Sequence, residues 1–308
     1  MNLEKDFTTQ ILNLEDDYEG KVIATLVSCN ANTGNRKSVI YIHGYIDYFF
    51  HPHVAEKFIE NGFDFYALDL RKYGRSWLPH QRENYCKSIT EYFEEITMAI
   101  NQIYEKNQSP IYLFGHSTGG LTASNYANFG EEKNKISGLI LNSPFLDFYD
   151  SEFKKNATLA ACNMLTLFLD YTYINNMLSP VYVQSIHKDF KGEWDFNLKW
   201  KYTKGFPTYF KWVLAIDEAH ERLQKHSAIQ VPVLVMHSSA STKLSKFSEE
   251  AMQKDIVLDI EDIKQRGAKL GDKVTLLEVE NAMHDIFLSS KIVREKAFEG
   301  MFEWLLNK

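Results

Sequence analysis

The stretch "PIYLFGHSTGG", residues 110–120, decides how the rest of the chain is read. An apolar run with β-branched and aromatic side chains, the pattern of a buried strand, meets Gly115-His116-Ser117-Thr118-Gly119 and passes into residues that suit a helix. One reading is a plain turn, in which glycine bends the chain and Ser117 or Thr118 caps the helix. The other is a G-x-S-x-G elbow that holds a serine nucleophile with its oxygen exposed. Capping alone asks for no glycine on both sides of the serine. A strained strand-to-helix turn does, because neighbouring residues come too close for side chains. Ser117 is therefore read as a nucleophile.

Working outward, strands and helices alternate. "KVIATLVSC" (21–29), "SVIYIHG" (38–44), "FDFYALDL" (63–70), "ISGLILNSPF" (136–145), "VPVLVMHSS" (231–239) and "KVTLLEVENA" (273–282) have the apolar content of strands. "HPHVAEKFIENG" (51–62), "SITEYFEEITMAINQIYEKN" (88–107), "TGGLTASNYANFG" (118–130) and the end of the chain from about Ile292 have helical spacing, with Ser88 placed to cap the second. Buried strands separated by helices predict an α/β fold with a mostly parallel sheet covered on both faces. Between Leu146 and about His226 the rhythm stops: helical patches and many aromatics, with no clear strand. So long a connection has to be folded. The expected division is a core of residues 1–145 and 227–308, with 146–226 inserted as a helical cap on the side where such sheets keep their sites.

Composition sets the surroundings. With 308 residues, 44% of them hydrophobic, the chain can bury one sizeable core. A formal charge of -7 argues against nucleic acid or an anionic membrane as partner. Cys29, Cys86 and Cys162 form neither a CxxC pair nor an even framework, so they read as reduced thiols, and no metal or cofactor is implied. The acidic N-terminal residues do not resemble a signal peptide, and the most apolar later segment is broken by Asn163, Asp170, Asn175 and Asn176. The expectation is a soluble cytoplasmic protein without an integral membrane segment.

A serine hydroxyl needs a base and a place for the oxyanion. "YIHGYIDYFF" (41–50) supplies the second: Gly44 lets the chain turn at a strand end, so that the Tyr45 N–H and the Thr118 N–H can form a two-donor hole. The base should follow the last strand, where "VENAMHDIFLSS" offers His284, the only histidine beyond His237. His43 and His116 read as packing residues. In the cap, Tyr171, Tyr173, Trp194, Phe196, Trp200, Tyr202, Phe206, Tyr209, Phe210 and Trp212, with Met177 and leucines, would mostly form its own core. The remainder would line an apolar slot for an acyl chain or aromatic group.

The set "IHGYIDYFF", "FYALDLRKYGRS", "LFGHSTGG" and "ENAMHD" resembles the α/β-hydrolase superfamily, and most of all its lysophospholipase/monoacylglycerol-lipase-like, serine-aminopeptidase-like branch. The resemblance runs from about Lys37 to the C-terminus and is weakest through the cap. It implies Ser117 as nucleophile, His284 as base, and Tyr45 and Thr118 as oxyanion donors. In "DLRKYGRS" it makes Arg71 and Ser76 loop-holding residues, and it puts Asp47 and Tyr48 where they could face the pocket mouth. One departure stands out. Relatives carry His-Gly-x-x-Asp after the strand equivalent to "VLVMH", whereas this chain reads "HSSASTKL", with Ser241 where the acid would be.

The acid must then come from elsewhere. The order Ser…Asp/Glu…His points to the segment before Lys273, where Glu249, Glu250, Asp255, Asp259, Glu261 and Asp262 lie. Glu249, Glu250, Glu261 and Asp262 fall on faces expected to be solvated. Asp255, followed by Ile-Val-Leu, resembles the family's run of acid, apolar pair and helix start, with "SASTKLSKFSEEAMQK" as an insertion ahead of it. Asp259 would then cap the next helix, and Asp147, after another strand, is the remaining alternative. The expected activity is hydrolysis of small apolar acyl esters through an acyl-enzyme on Ser117. The alternatives are an aminopeptidase, with Asp147, Asp150, Asp170 or Glu193 holding the substrate amine, a thioesterase, or a catalytically silent ligand-binding fold.

Overall fold

The computed structural model describes residues 1–30, 37–175, 179–204 and 206–307; Met177, counted above with the cap, lies outside the described residues. The chain runs β1 (Thr8–Asn13), β2 (Ile23–Cys29), β3 (Lys37–Ile42), α1 (Pro52–Glu60), β4 (Phe63–Asp69), α2 (Phe93–Asn107), β5 (Ile111–His116), α3 (Thr118–Phe129) and β6 (Ile136–Asn142). It continues through α4 (Glu152–Thr166), β7 (Tyr173–Asn175), α5 (Val181–Ile186), β8 (Pro207–Tyr209), α6 (Phe210–His226), β9 (Val233–Ser238), α7 (Ile260–Gly267), β10 (Val274–Val279) and α8 (Lys291–Leu306). Eight strands form one sheet in the order β1-β2-β4-β3-β5-β6-β9-β10. β1 and β2 pair antiparallel, as do β2 and β4, and every pairing from β4 to β10 is parallel. This is the α/β-hydrolase architecture.

The central strands read as unbroken apolar runs because both of their faces are buried. Val39, Tyr41, Phe114, Ile140 and Met236 enter one apolar layer, closed by α1 and α8. Their neighbours Ile40, Ile42, Leu113, Leu141 and Val235 enter the other, closed by α2, α3 and α6. The period-2 alternation of a strand thus divides one hydrophobic run between two cores. Ser88 makes a capping box with Glu91 at the short turn that leads into α2.

Two departures from the sequence reading have physical reasons. β1 carries almost no hydrophobic pattern in the sequence, because it is an edge strand with only Leu12 buried. The segment expected to hold no strand holds β7 and β8, three residues each, paired as a separate antiparallel ribbon. Runs that short have no periodicity to read. α6 returns from this excursion to the core: Trp212, Val213, Ile216, Ala219 and Leu223 belong to the same apolar layer as the sheet.

The loops that carry Tyr45, Ser117, Asp255 and His284 leave the carboxyl ends of parallel strands, the side on which open α/β sheets bind ligands. β3 delivers residues 43–51, β5 delivers Ser117, and β9 and β10 deliver the segments around Asp255 and His284.

Candidate active site

Ser117 sits between β5 and α3 with φ 52° and ψ -119°, a left-handed turn rarely adopted by a residue with a side chain. The flanking glycines make it possible. A Cβ on Gly115 would lie 2.5 Å from the Gly119 carbonyl oxygen, and one on Gly119 would collide with the carbonyls of Ile42 and His43. The turn is pinned by its own main chain: the Ser117 N–H donates to the Asn142 carbonyl at 3.0 Å, and its carbonyl accepts from Gly120, Leu121 and Phe145. The Thr118 N–H opens α3 and is among the amides that a helix start leaves without an intrahelical acceptor.

Ser117, Thr118, Tyr45 and His284 line one cavity of about 450 Å³. Of the cap aromatics, Tyr202, Phe206 and Trp212 line it, joined by Phe145, Phe148 and Tyr182. The others largely pack elsewhere, Phe196 against Phe50 and Tyr173 against Tyr209 among them.

His284 lies in the loop after β10, buried against His116 and Tyr182. Its Nδ1 is 2.8 Å from Asp255 Oδ2. Nδ1–H donating to the carboxylate leaves Nε2 as the ring's acceptor. Asp255 is fully buried, and its Oδ1 accepts from the Val257 and Leu258 amides, both at 2.8 Å. Its main chain is strapped to the segment just after β9 by bonds to Ala240 and from Thr242, each 2.9 Å. A parallel bridge therefore sets Asp255 beside Ser241, and the residues between them loop out.

The rival carboxylates are engaged elsewhere. Asp259 caps α7, accepting from the Glu261 N–H and from the Ser241 hydroxyl. Asp147 is tied to Lys155 at 2.7 Å and Arg266 at 2.8 Å. Glu249, Glu250 and Glu261 are exposed and Asp262 is half-buried on α7. Arg71 holds Glu94 and Glu95 at the start of α2, and Ser76 bonds Thr25 and the Asp69 carbonyl, the loop-holding parts expected of them.

Two polar groups at the site gave no signal in the sequence. Asp285 is buried behind His284, accepts from the Asn142 amide at 2.8 Å, and lies 3.2 Å from His51 Nε2. Asn142 also accepts from the Ile286 N–H, so the base loop is fastened to the end of β6. The second is Lys201, between α5 and β8, whose ammonium is 2.8 Å from Asp47 Oδ1, with both residues buried. Each joins segments far apart in the chain.

Burial disfavours the charged form of His43, His53, His116 and His220. It lowers His53 to about 3, His116 to about 4 and His220 to about 4. His43 is lowered as well, and its ring bridges the Gly44 carbonyl and the Leu70 N–H as a packing residue should. A folded pKa below the unfolded value of about 6.5 gives stability that is complete above that pH and lost as pH falls toward the folded value. We expect the urea midpoint to drop between pH 7 and pH 4.5. A midpoint unchanged over that window would show that these rings ionise freely in the folded state.

Comparison with known proteins adds the lineage. The family described as serine aminopeptidase, S33, matches residues 33–290. The monoglyceride lipase of Saccharomyces cerevisiae is 23% identical over 289 residues, covering 90% of this chain and 86% of that protein. The crystal structure of a soluble variant of that lipase, bound to a substrate analog, superposes with a TM-score of 0.72 at 20% identity, covering 97% and 96% of the two chains. A thermostable carboxyl esterase from Bacillus coagulans, in complex with glycerol, gives a TM-score of 0.66 at 16% identity, covering 97% and 98%.

Proposed function

The chain belongs to the serine aminopeptidase S33 family, and from that membership we propose its substrate class and the residues that act on it. It is a carboxylic ester hydrolase. Its substrate is a neutral monoacyl ester of the monoacylglycerol kind, cleaved by Ser117, His284 and Asp255 with Tyr45 and Thr118 as oxyanion donors. The observation that carries this is a single arrangement. A serine on a left-handed elbow opens into the same cavity as a histidine whose Nδ1 is held by a buried carboxylate.

The steps follow from that arrangement. Ser117 Oγ attacks the acyl carbon as its proton passes to His284 Nε2, and Asp255 stabilises the imidazolium. The carbonyl oxygen gains the electron pair and is met by the Tyr45 and Thr118 amides. Collapse breaks the bond to the alcohol, which leaves with the proton from His284. Water then repeats the sequence on the acyl-enzyme and releases the acid. Residues 146–226, rooted by α6, act as the cap that encloses the acyl chain.

The aminopeptidase alternative needs a free carboxylate for the substrate amine. Asp150 is at the cavity but is paired with Lys154 and Lys243. Asp147 is paired as above, Asp170 with Lys87 and Lys211, and Glu193 with Arg294. A mostly apolar lining, whose two acids Asp47 and Asp150 are both paired with lysines, favours an acyl ester. No helix among the described residues is long and apolar enough to cross a membrane. The cytoplasm is the compartment we propose, in keeping with three free cysteines.

The test compares neutral monoacyl esters with lysophospholipids of the same chain length. We expect kcat/KM to favour the neutral esters by at least about tenfold, the effect of roughly 1.4 kcal/mol in transition-state binding. Equal values, or turnover only of peptides with free amino termini, would overturn the assignment.

A further inference from the structure

The loop after β3 carries a second strained residue. Ile46, next to Tyr45, has φ 54°, a left-handed conformation that is a genuine outlier for a β-branched side chain. Such strain persists only where the surroundings over-determine the backbone. Here the surroundings include the segment between β6 and β9 as well as the core residues Asp69 and Arg75 that hold Phe49. The Tyr45 ring stacks on Trp212 at 3.8 Å and its hydroxyl donates to the Pro207 carbonyl at 3.4 Å. The Tyr48 hydroxyl accepts from the Asn197 N–H at 2.7 Å.

Between them, Lys201 Nζ meets Asp47 Oδ1 at 2.8 Å, and that same oxygen accepts from the Tyr48 N–H at 2.9 Å. Burial alone would raise the Asp47 carboxyl, but the Lys201 ammonium, together with the His51, His116 and His43 rings around it, holds the group below the usual carboxylate range. Residues on both sides of the strained peptide are thus fixed, Tyr45 by Trp212 and Pro207, Asp47 by Lys201 and Tyr48 by Asn197.

We propose that Lys201 is a positioning residue for ester hydrolysis: acting through Asp47, it holds the Tyr45 amide where the oxyanion forms, so the donor pair is complete only while Lys201 and Asn197 are seated on the loop. This rests on the reading of Tyr45 as an oxyanion donor. It makes the cap part of the catalytic geometry as well as the wall of the cavity. A loop left free to relax at Ile46 would swing that amide away and leave one donor.

The test uses the full chain and three variants: Lys201→Met, Lys201→Arg, and Lys201→Met combined with Asp47→Asn. The double variant leaves no buried unpaired charge, so it answers even if the single change impairs folding. Active sites are counted by complete fluorophosphonate labelling, and turnover of a soluble short-chain ester is expressed per labelled site. Removing one oxyanion donor costs about a hundredfold or more in kcat. We expect a per-site loss of that order in the double variant with KM within about threefold. Affinity for a boronic acid that forms a tetrahedral adduct should fall in parallel, and Lys201→Arg should restore most of the rate. A merely structural role would lower the number of labelled sites and leave the per-site rate unchanged. A per-site kcat within threefold of the parent, or a loss confined to KM, overturns the proposal. The parent is assayed alongside: if it neither labels nor hydrolyses esters, the ester reading falls and takes this one with it, whereas an active parent beside an equally active double variant removes Lys201 alone.

Discussion

Ser117→Ala is expected to remove ester hydrolysis to background, a loss on the order of a millionfold in kcat by the scale of serine triads, and to abolish fluorophosphonate labelling. The fold should survive. The bonds that pin the elbow are made by the Ser117 main chain, to Asn142 and from Gly120, Leu121 and Phe145, and alanine keeps all of them. Alanine also has the same Cβ, so the strain of φ 52° is neither relieved nor increased. The check is labelling and turnover alongside a thermal melt. Labelling that persists in a folded variant would take Ser117 out of the mechanism.

Asp255→Asn is expected to lower kcat by up to about ten-thousandfold, the scale set when a triad carboxylate becomes an amide. The amide oxygen can still accept from Val257 and Leu258, as the carboxylate does now. Its NH₂ then faces His284 Nδ1 and forces the proton onto Nε2, the nitrogen that has to accept it from Ser117. The geometry is kept and the tautomer is wrong. Asp259→Asn is the companion, because asparagine is almost as good an N-cap as aspartate and should cost about 1 kcal/mol or less in stability with kcat unchanged. If the large kinetic loss follows Asp259, the role given to Asp255 is wrong.

How much of this could be read from the chain depended on whether a signal was local. The central strands were legible because burial on both faces leaves long apolar runs, whereas β1 has a single buried side chain and β7 and β8 are too short for a period. Ser117 was legible because an elbow needs glycine at fixed offsets. His284 is singled out because the expected order of residues leaves one histidine after the last strand, and the structure places it beside Asp255 at the cavity that Ser117 lines. Asp255 was harder. The family resemblance suggests an insertion ahead of it, but only the fold shows the bridge to Ser241, just beyond β9, that brings the acid back. Asp285 and Lys201 gave no signal, since their partners Asn142, His51 and Asp47 lie far away in sequence. Chemistry that depends on long-range pairing leaves no local pattern in the chain.

The rooting of α6 bears on how this architecture can be recombined. Its apolar face is shared with the sheet, Asn125 reaches the Ala219 carbonyl at 3.4 Å, and His220 bonds the Phe145 carbonyl at 2.9 Å. A chimera that exchanged everything between β6 and β9 would tear out a core helix along with the roof, and each large buried side chain mismatched in it would cost about 2–5 kcal/mol. The graftable piece ends near residue 206, ahead of β8. Swaps cut there keep the foundation, but they also remove Lys201 and Asn197. A transplanted roof would have to bring its own grip on Asp47 and Tyr48, which makes compatibility between roof and loop, rather than pocket shape, the first filter on which exchanges yield a working hydrolase.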